Sequence, residues 1–260
     1  MVNLSSTRRT PAPVAPQWED PLYPSCDGNP RSDNTEQYQW IVLIAENLRA
    51  LFADDPHIFI AADLLWYAVQ HKDKVEGEPI AQAPDVMVTL GRPAGFRMSY
   101  KQWEEEDLAP QVVWEILSDS NKTERGRRDL AKKFEFYQRH GVEEYYQYDP
   151  LDLVLKGWLR EGDRLREIPA FNPWVSPHLG IILHWQPGQR LQLFTPDQQP
   201  FVSFADLNRE RLQAQEQVSQ ARLAEERERL EKERERLEKE RLADYLRSIG
   251  LDPDNLPPVA

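Results

Sequence analysis

Two acidic residues stand inside runs that otherwise read as buried strand. Pro84-Asp85 opens the apolar run Val86-Met87-Val88, and Glu115 lies within Val112-Val113-Trp114-Glu115-Ile116-Leu117. Farther on, a helical stretch carries Asp129, Lys133 and Tyr137 at four-residue spacing, which places all three on one face. A carboxylate in an apolar strand is costly to desolvate unless it is paired or holds a cation. Two such carboxylates followed by a lysine are the parts that metal-dependent phosphodiester hydrolysis needs. The carboxylates offer oxygen ligands to a Mg2+ ion, and the lysine can orient or deprotonate the attacking water.

Each of these residues also has a plainer reading. Asp85 suits a turn initiated after Pro84, and Lys133 is placed to pair with Asp129 one helical turn before it. Glu115 has flanks that look buried on both sides, so a surface role is the weaker account of it. Asp63, near the end of an earlier apolar run, is either a further ligand or a strand-edge turn residue.

The elements that must position these groups can be read from periodicity and punctuation. A first helix starts near Asn34, with Gln37 at its third helical position. Its apolar stripe is Ile41, Ile44, Ala45, Leu48, Leu51 and Phe52, and Asp55-Pro56 ends it. Strands follow at 57–67, 84–90 and 111–117. The Gly- and Pro-punctuated insert 91–110 reads as a surface loop or hairpin. Residues 125–140 form a second helix, with Leu130, Phe134 and Tyr137 along one side and Gly141 as its stop. A strand at 143–148 and β-rich pieces around 153–159, 164–169, 179–185 and 189–195 complete the body. This order predicts an α/β sandwich around a mixed sheet.

Two flanking segments differ in composition. Residues 1–33 carry Pro11, Pro13, Pro16, Pro21, Pro24 and Pro30 with few apolar partners, and read as a mostly disordered arm. Within it, Trp18 and Tyr23 are the residues able to dock on the body. The central domain is expected over 34–206. From 207 to 260 the chain turns into a charged helix or coiled coil, in which ERLEKER at 228–234 repeats letter for letter at 235–241. Leu223, Leu230 and Leu237 mark one heptad position, but its partner position holds Arg227, Arg234 and Arg241. Glu–Arg and Glu–Lys pairs four residues apart would support a solitary helix as well, and the reading leans to a homo-oligomer. A small apolar knob (Leu242, Tyr245, Leu246, Ile249, Leu251) closes the segment.

The 260 residues carry a formal charge of −12, and residues 1–206 hold 21 Lys/Arg against 31 Asp/Glu, net −10. An acidic body repels phosphate backbones at long range, so contact with DNA calls for a local basic surface. Segment 122–139 supplies a net +4: Lys122, Arg125, Arg127, Arg128, Lys132, Lys133 and Arg139 against Glu124, Asp129 and Glu135. The single Cys26 excludes an intrachain disulfide and a Cys-rich metal site. The five histidines show no zinc spacing. No apolar run is long enough to span a bilayer and no secretory core is present, so a cytoplasmic protein without membrane contact is expected.

The set Pro84-Asp85, Trp114-Glu115-Ile116-Leu117-Ser118, Arg127 to Tyr137 and Gly141-Val142-Glu143-Glu144-Tyr145-Tyr146 with Asp149-Pro150 resembles the Uma-two family of restriction endonucleases, within the PD-(D/E)XK nuclease superfamily. The resemblance covers roughly residues 35–190. It implies a restriction-endonuclease-like fold and a Mg2+-dependent DNA endonuclease, with Asp85 as the motif aspartate and Glu115 as the motif acid. The motif lysine would stand two residues after Glu115, where this chain has Leu117. The resemblance implies that the lysine comes instead from the next helix, at Lys133, with Lys132 and Lys122 as weaker substitutes. A competing reading is a nuclease fold that has lost turnover and acts as an assembly module through its C-terminal helix. Net acidity and Leu117 favour that alternative.

Overall fold

The computed structural model describes residues 20–26, 28, 32–76, 80–250 and 252–253. Helix α1 (Thr35–Leu51) leads into strand β1 (Ile58–Ala62). Two short strands, β2 (Trp66–Tyr67) and β3 (Ala81–Gln82), precede β4 (Val86–Leu90). After β5 (Tyr100–Lys101) come β6 (Val112–Ile116), helix α2 (Glu124–His140) and β7 (Glu144–Asp149). A hairpin of β8 (Val154–Glu161) and β9 (Arg164–Glu167) follows. Then come β10 (Trp174–Val175), β11 (Ile182–His184), β12 (Gln192–Phe194) and helix α3 (Phe204–Ser248).

The central sheet has the order β1-β4-β6-β7-β8-β9, and only the β6–β7 pair is parallel. That parallel pair requires a crossover, and α2 supplies it. Residues alternate between the two faces, and each face has its own core. One is built on α1, where Trp40, Ile41, Ile44 and Leu48 pack with Val86, Val88, Val112, Trp114, Ile116, Tyr146 and Tyr148. The other lies under α2, where Phe136 and Tyr137 pack with Phe59, Trp66, Met87, Val113 and Tyr145. Strand β6 is buried along its whole length because both of its faces are covered. The architecture is therefore a mixed α/β sandwich, as the order of elements predicts.

Three expectations change in detail. The run 57–67 is not one strand: β1 stops at Ala62, Asp63 takes a positive φ of 49°, and Trp66–Tyr67 joins a separate small sheet with β3 and β5. The first helix ends at Leu51, before Asp55-Pro56. The insert 91–110 is more than a surface loop. Tyr100 is fully buried, and Glu105 binds both Arg92 and Arg97 at 2.9 and 2.5 Å.

Of the N-terminal arm, residues 20–26 lie against the body rather than standing free. The Tyr23 ring packs on Trp103 and Tyr67, its hydroxyl accepts from the His71 amide at 2.8 Å, and Tyr67 donates to the Pro24 carbonyl at 2.8 Å. Trp18 lies outside the described residues. The described residues from Val202 onward form a second compact unit. Its helix α3 runs for 45 residues without a buried side chain, and Ser203 caps it by accepting from the Asp206 amide. Among the described residues, no helix is long and apolar enough to cross a membrane.

Candidate active site

The antiparallel register of β4 and β6 sets Val86 opposite Trp114, which brings the preceding Asp85 across from Glu115. Alternation turns both carboxylates to the face covered by α2. Valine and isoleucine around them favour the pleated, fully covered strand, and so the carboxylates are carried inside: Asp85 and Glu115 are only 8% and 4% exposed.

Helix α2 is held firmly over this point. Thr123 caps it by accepting from the Gly126 amide at 3.0 Å. Gly126 is required there by close approach, since a Cβ would come within 2.1 Å of the Ser120 carbonyl oxygen. Gly141 ends the helix at a φ of 99°, a left-handed C-cap. Trp66 stacks on Tyr137 and meets Phe136 edge-on, which fixes the rotation of the helix about its axis.

From that helix Lys133 reaches down, and its Nζ lies 2.7 Å from Glu115 Oε2 and donates to the Ala83 carbonyl at 3.2 Å. Tyr137, one turn later, donates its hydroxyl to Glu115 Oε1 at 2.5 Å. Asp85 Oδ2 accepts from the Ile116 backbone N–H at 2.6 Å. The Ile116 carbonyl in turn accepts from Gln37 Nε2 at 2.8 Å, and Gln37 Oε1 accepts from the Asp33 amide at 2.7 Å. The start of α1 thus braces the end of β6, and through it Asp85.

The electrostatics follow from burial. Desolvation pushes the Asp85 carboxyl up to about 8, and the neighbouring Glu115 charge adds to it against the opposing pull of Lys133. Burial works against the Lys133 ammonium, yet Glu115 and Asp85 outweigh it and raise its pKa above the usual lysine value. In this state Lys133 is a stabilised ammonium, a donor and not a base.

A carboxyl that burial keeps protonated, beside a second buried carboxylate, forms a place where a cation relieves the cost. Oxygen donors of this kind suit a hard divalent ion such as Mg2+. Among the described residues, no group of three or more His, Cys, Asp and Glu side chains is arranged to hold a metal.

The remaining candidates are placed elsewhere. Asp129 pairs with Arg125 and Lys132, at 3.6 and 3.5 Å, and leaves Lys133 to Glu115. Lys132 is on the exposed flank of α2. Lys122 is bound up with Asp119, Asp149 and Asp152. Asp63 turns the chain just after β1, and its charge reaches both Asp85 and Lys133. Two contributors go beyond the sequence reading. Tyr137 was legible as a neighbour of Lys133 on one helix face, but nothing local announces its bond to Glu115. Gln37 reads as a capping residue, and its long-range bond to Ile116 has no sequence signal.

Comparison with curated proteins finds no match. Among solved structures the chain is similar to a putative nuclease belonging to DUF820 from Anabaena variabilis, at 11% sequence identity and a TM-score of 0.34, over 62% of this chain and 68% of that one. The family described as Uma2, putative restriction endonuclease, matches residues 35–186, which is more than half of the chain and includes Asp85, Glu115, Lys133 and Tyr137. The protein belongs to the Uma2 family of putative restriction endonucleases.

Proposed function

We propose that this protein is a Mg2+-dependent DNA endonuclease that hydrolyses phosphodiester bonds, with Asp85 and Glu115 as its metal-holding carboxylates and Lys133 as the cationic partner of the reacting phosphate and water. The observation that carries this reading is the meeting of three titratable groups at one buried point under α2: Lys133 at 2.7 Å from Glu115, and Asp85 opposite Glu115 in the register. Ionisable groups are rarely gathered inside a core, because their desolvation is offset only by good pairing or by a bound cation.

A bound divalent ion would neutralise charge on the scissile phosphate and make water more acidic. The chain's own residues would do the rest. Asp85 would give up its proton as the cation enters. Glu115, gripped by Tyr137, would present its carboxylate in one orientation. Lys133 would donate to the nucleophilic water or to a phosphate oxygen. It would become a better base only when the carboxylates that now raise its pKa are neutralised. Exposed cations on α2, including Arg125, Arg128 and Lys132, would meet the DNA backbone beside the site.

The test is cleavage of plasmid and linear DNA with Mg2+ or Mn2+, by the full chain and by Glu115→Gln. Metal-dependent cleavage that disappears in Glu115→Gln supports the reading. No cleavage by the unmodified chain of any DNA form tried, with either ion, would leave the assembly role as the better account.

That second role has an observation of its own. The helix α3 exposes Leu223, Leu230 and Leu237 at seven-residue spacing, each about half accessible. We propose that this seam joins two copies of the chain, with the arginines that share it keeping the association weak.

A further inference from the structure

The grip on Glu115 comes from two donors of different kinds. Tyr137 is fully buried, stacked on Trp66 and in edge contact with Tyr145, so its ring is packed in place with the hydroxyl at Oε1. Lys133 has a four-carbon stem, keeps a quarter of its side chain exposed, and holds Oε2 through a charge. Its second bond, to the Ala83 carbonyl, is long at 3.2 Å. Three of the four carboxylate oxygens of the Asp85–Glu115 pair are already engaged by protein donors: Oε1, Oε2 and Asp85 Oδ2.

We infer that the Lys133 ammonium is the resident counter-ion of this site, and that a divalent cation binds by displacing it from Glu115 Oε2 while Tyr137 retains Oε1. The inference rests on the reading of Asp85 and Glu115 as the metal-holding pair. A single positive charge on a flexible stem neutralises the carboxylates well enough for the chain to fold without metal. An incoming dication needs the same oxygen and is repelled by the same ammonium. Lys133 therefore lowers the affinity for metal even as it serves the chemistry, and its displacement would carry it from Glu115 toward a bound phosphate. Tyr137 acts as a positioning residue that keeps Glu115 in place during the exchange.

The experiment is titration calorimetry of the full-length protein with Mn2+ at one pH and ionic strength. The unmodified chain is compared with Lys133→Met, Lys133→Gln, Lys132→Met and Glu115→Gln. The two Lys133 variants are expected to bind Mn2+ more tightly, by roughly tenfold or more, as follows from removing a cation within contact distance of the ligand oxygens. Lys132→Met loses the same charge one residue away and should bind like the unmodified chain. Lys133→Gln keeps a neutral polar end on a stem one bond shorter, so it provides the answer should Lys133→Met fail to fold. Unchanged or weaker Mn2+ binding in the folded Lys133 variants, with binding lost in Glu115→Gln, overturns the displacement and leaves the carboxylate site standing. An equal gain in Lys132→Met overturns it too, because the effect would then be long-range charge. Undiminished binding in Glu115→Gln defeats the metal-site reading itself.

Discussion

The Tyr137 hydroxyl and the Glu115 carboxylate meet at 2.5 Å, while Lys133, one helical turn before Tyr137, holds the other oxygen of the same carboxylate at 2.7 Å. A single helix face therefore fixes both ends of a strand carboxylate. The spacing of four residues is what makes this possible, because it stacks the two side chains along one side of α2.

Tyr137→Phe keeps the ring packing and removes only the hydroxyl. A buried hydrogen bond to a charged acceptor contributes about 1.5–3 kcal/mol, so the variant should unfold at lower denaturant by about that amount. With Glu115 free to turn, metal-dependent cleavage should fall by roughly tenfold or more, since misplacement of a catalytic group by about 1 Å is costly. Urea unfolding and cleavage assays at saturating Mg2+ check the two parts separately. Full activity in a destabilised variant would show that Tyr137 serves folding alone.

Asp85 makes the metal-free protein sensitive to alkali. Its pKa is raised to about 8 on folding, chiefly by desolvation, so the folded state binds a proton more tightly than the unfolded chain. That contribution is present in full below the ordinary aspartate range near 3.8 and is lost progressively as pH rises to about 8. Asp85→Asn removes the titration, and in the presence of a chelator it should be the more stable form at pH 8, by up to a few kcal/mol. Added Mn2+ should stabilise the unmodified protein and not the variant. Thermal melts at pH 5 and pH 8, with and without metal, measure it, and parallel pH profiles for the two proteins would refute the assignment.

Another buried carboxylate, away from this site, gives a pH signature of opposite origin. Glu144 accepts from Tyr146, Ser176 and the His178 amide, each at 2.6 Å, and meets His178 Nδ1 at 2.8 Å. The hydrogen bond to Glu144 raises the His178 pKa, so the contribution from the His178 charge is complete below the usual histidine value near 6.5 and is lost as pH climbs through the raised value. For Glu144, burial opposes ionisation, but the hydrogen bonds from His178, Ser176 and Tyr146 win and lower its pKa, so its contribution is lost as pH falls below about 4.5. His178→Ala should lower stability near pH 6 and much less at pH 9. Equal losses at both pH values would mean that the ring acts by packing and not by charge.

Ending the chain after Phe201 removes the second compact unit, whose helix buries none of its side chains. The remaining body should unfold as cooperatively as before, with a midpoint little changed. If α3 carries self-association, sedimentation should show the full chain heavier than the truncated one at equal concentration. A truncated body that melts far earlier would place α3 among the supports of the fold.

Much of this arrangement is written locally in the chain. Alternation and apolar runs mark β4 and β6, Thr123 and Gly141 bracket α2, and the four-residue spacing of Lys133 and Tyr137 already puts them on one face. Those features depend on neighbours in sequence, and backbone geometry translates them directly. The break at Asp63 was hidden, because the apolar run continues through Leu64, Leu65, Trp66 and Tyr67 while the backbone turns through a positive φ. The burial of Tyr100 and the Arg92–Glu105–Arg97 cluster were hidden as well, inside a segment whose charges and glycines read as solvent-exposed.

Only tertiary structure could decide which partner Lys133 takes. Asp129 is available at the ideal helical spacing, yet it turns to Arg125 and Lys132, and the lysine goes to Glu115, 18 residues away in sequence. The reason is physical: a solvated ion pair on a helix surface contributes little, whereas a buried carboxylate without a cation would be severely penalised. Gln37 keeps the place at the helix start that a local reading gives it, where its amide donates to Asn34 Oδ1, and the fold adds a bond from its side chain to the Ile116 carbonyl, 79 residues on. Sequence pattern determined which faces are apolar and, apart from the break at Asp63, roughly where the main elements lie. The register between β4 and β6, and the packing of α2 across them, decided which charges had to meet, because only the assembled core removes the water that would otherwise keep them apart.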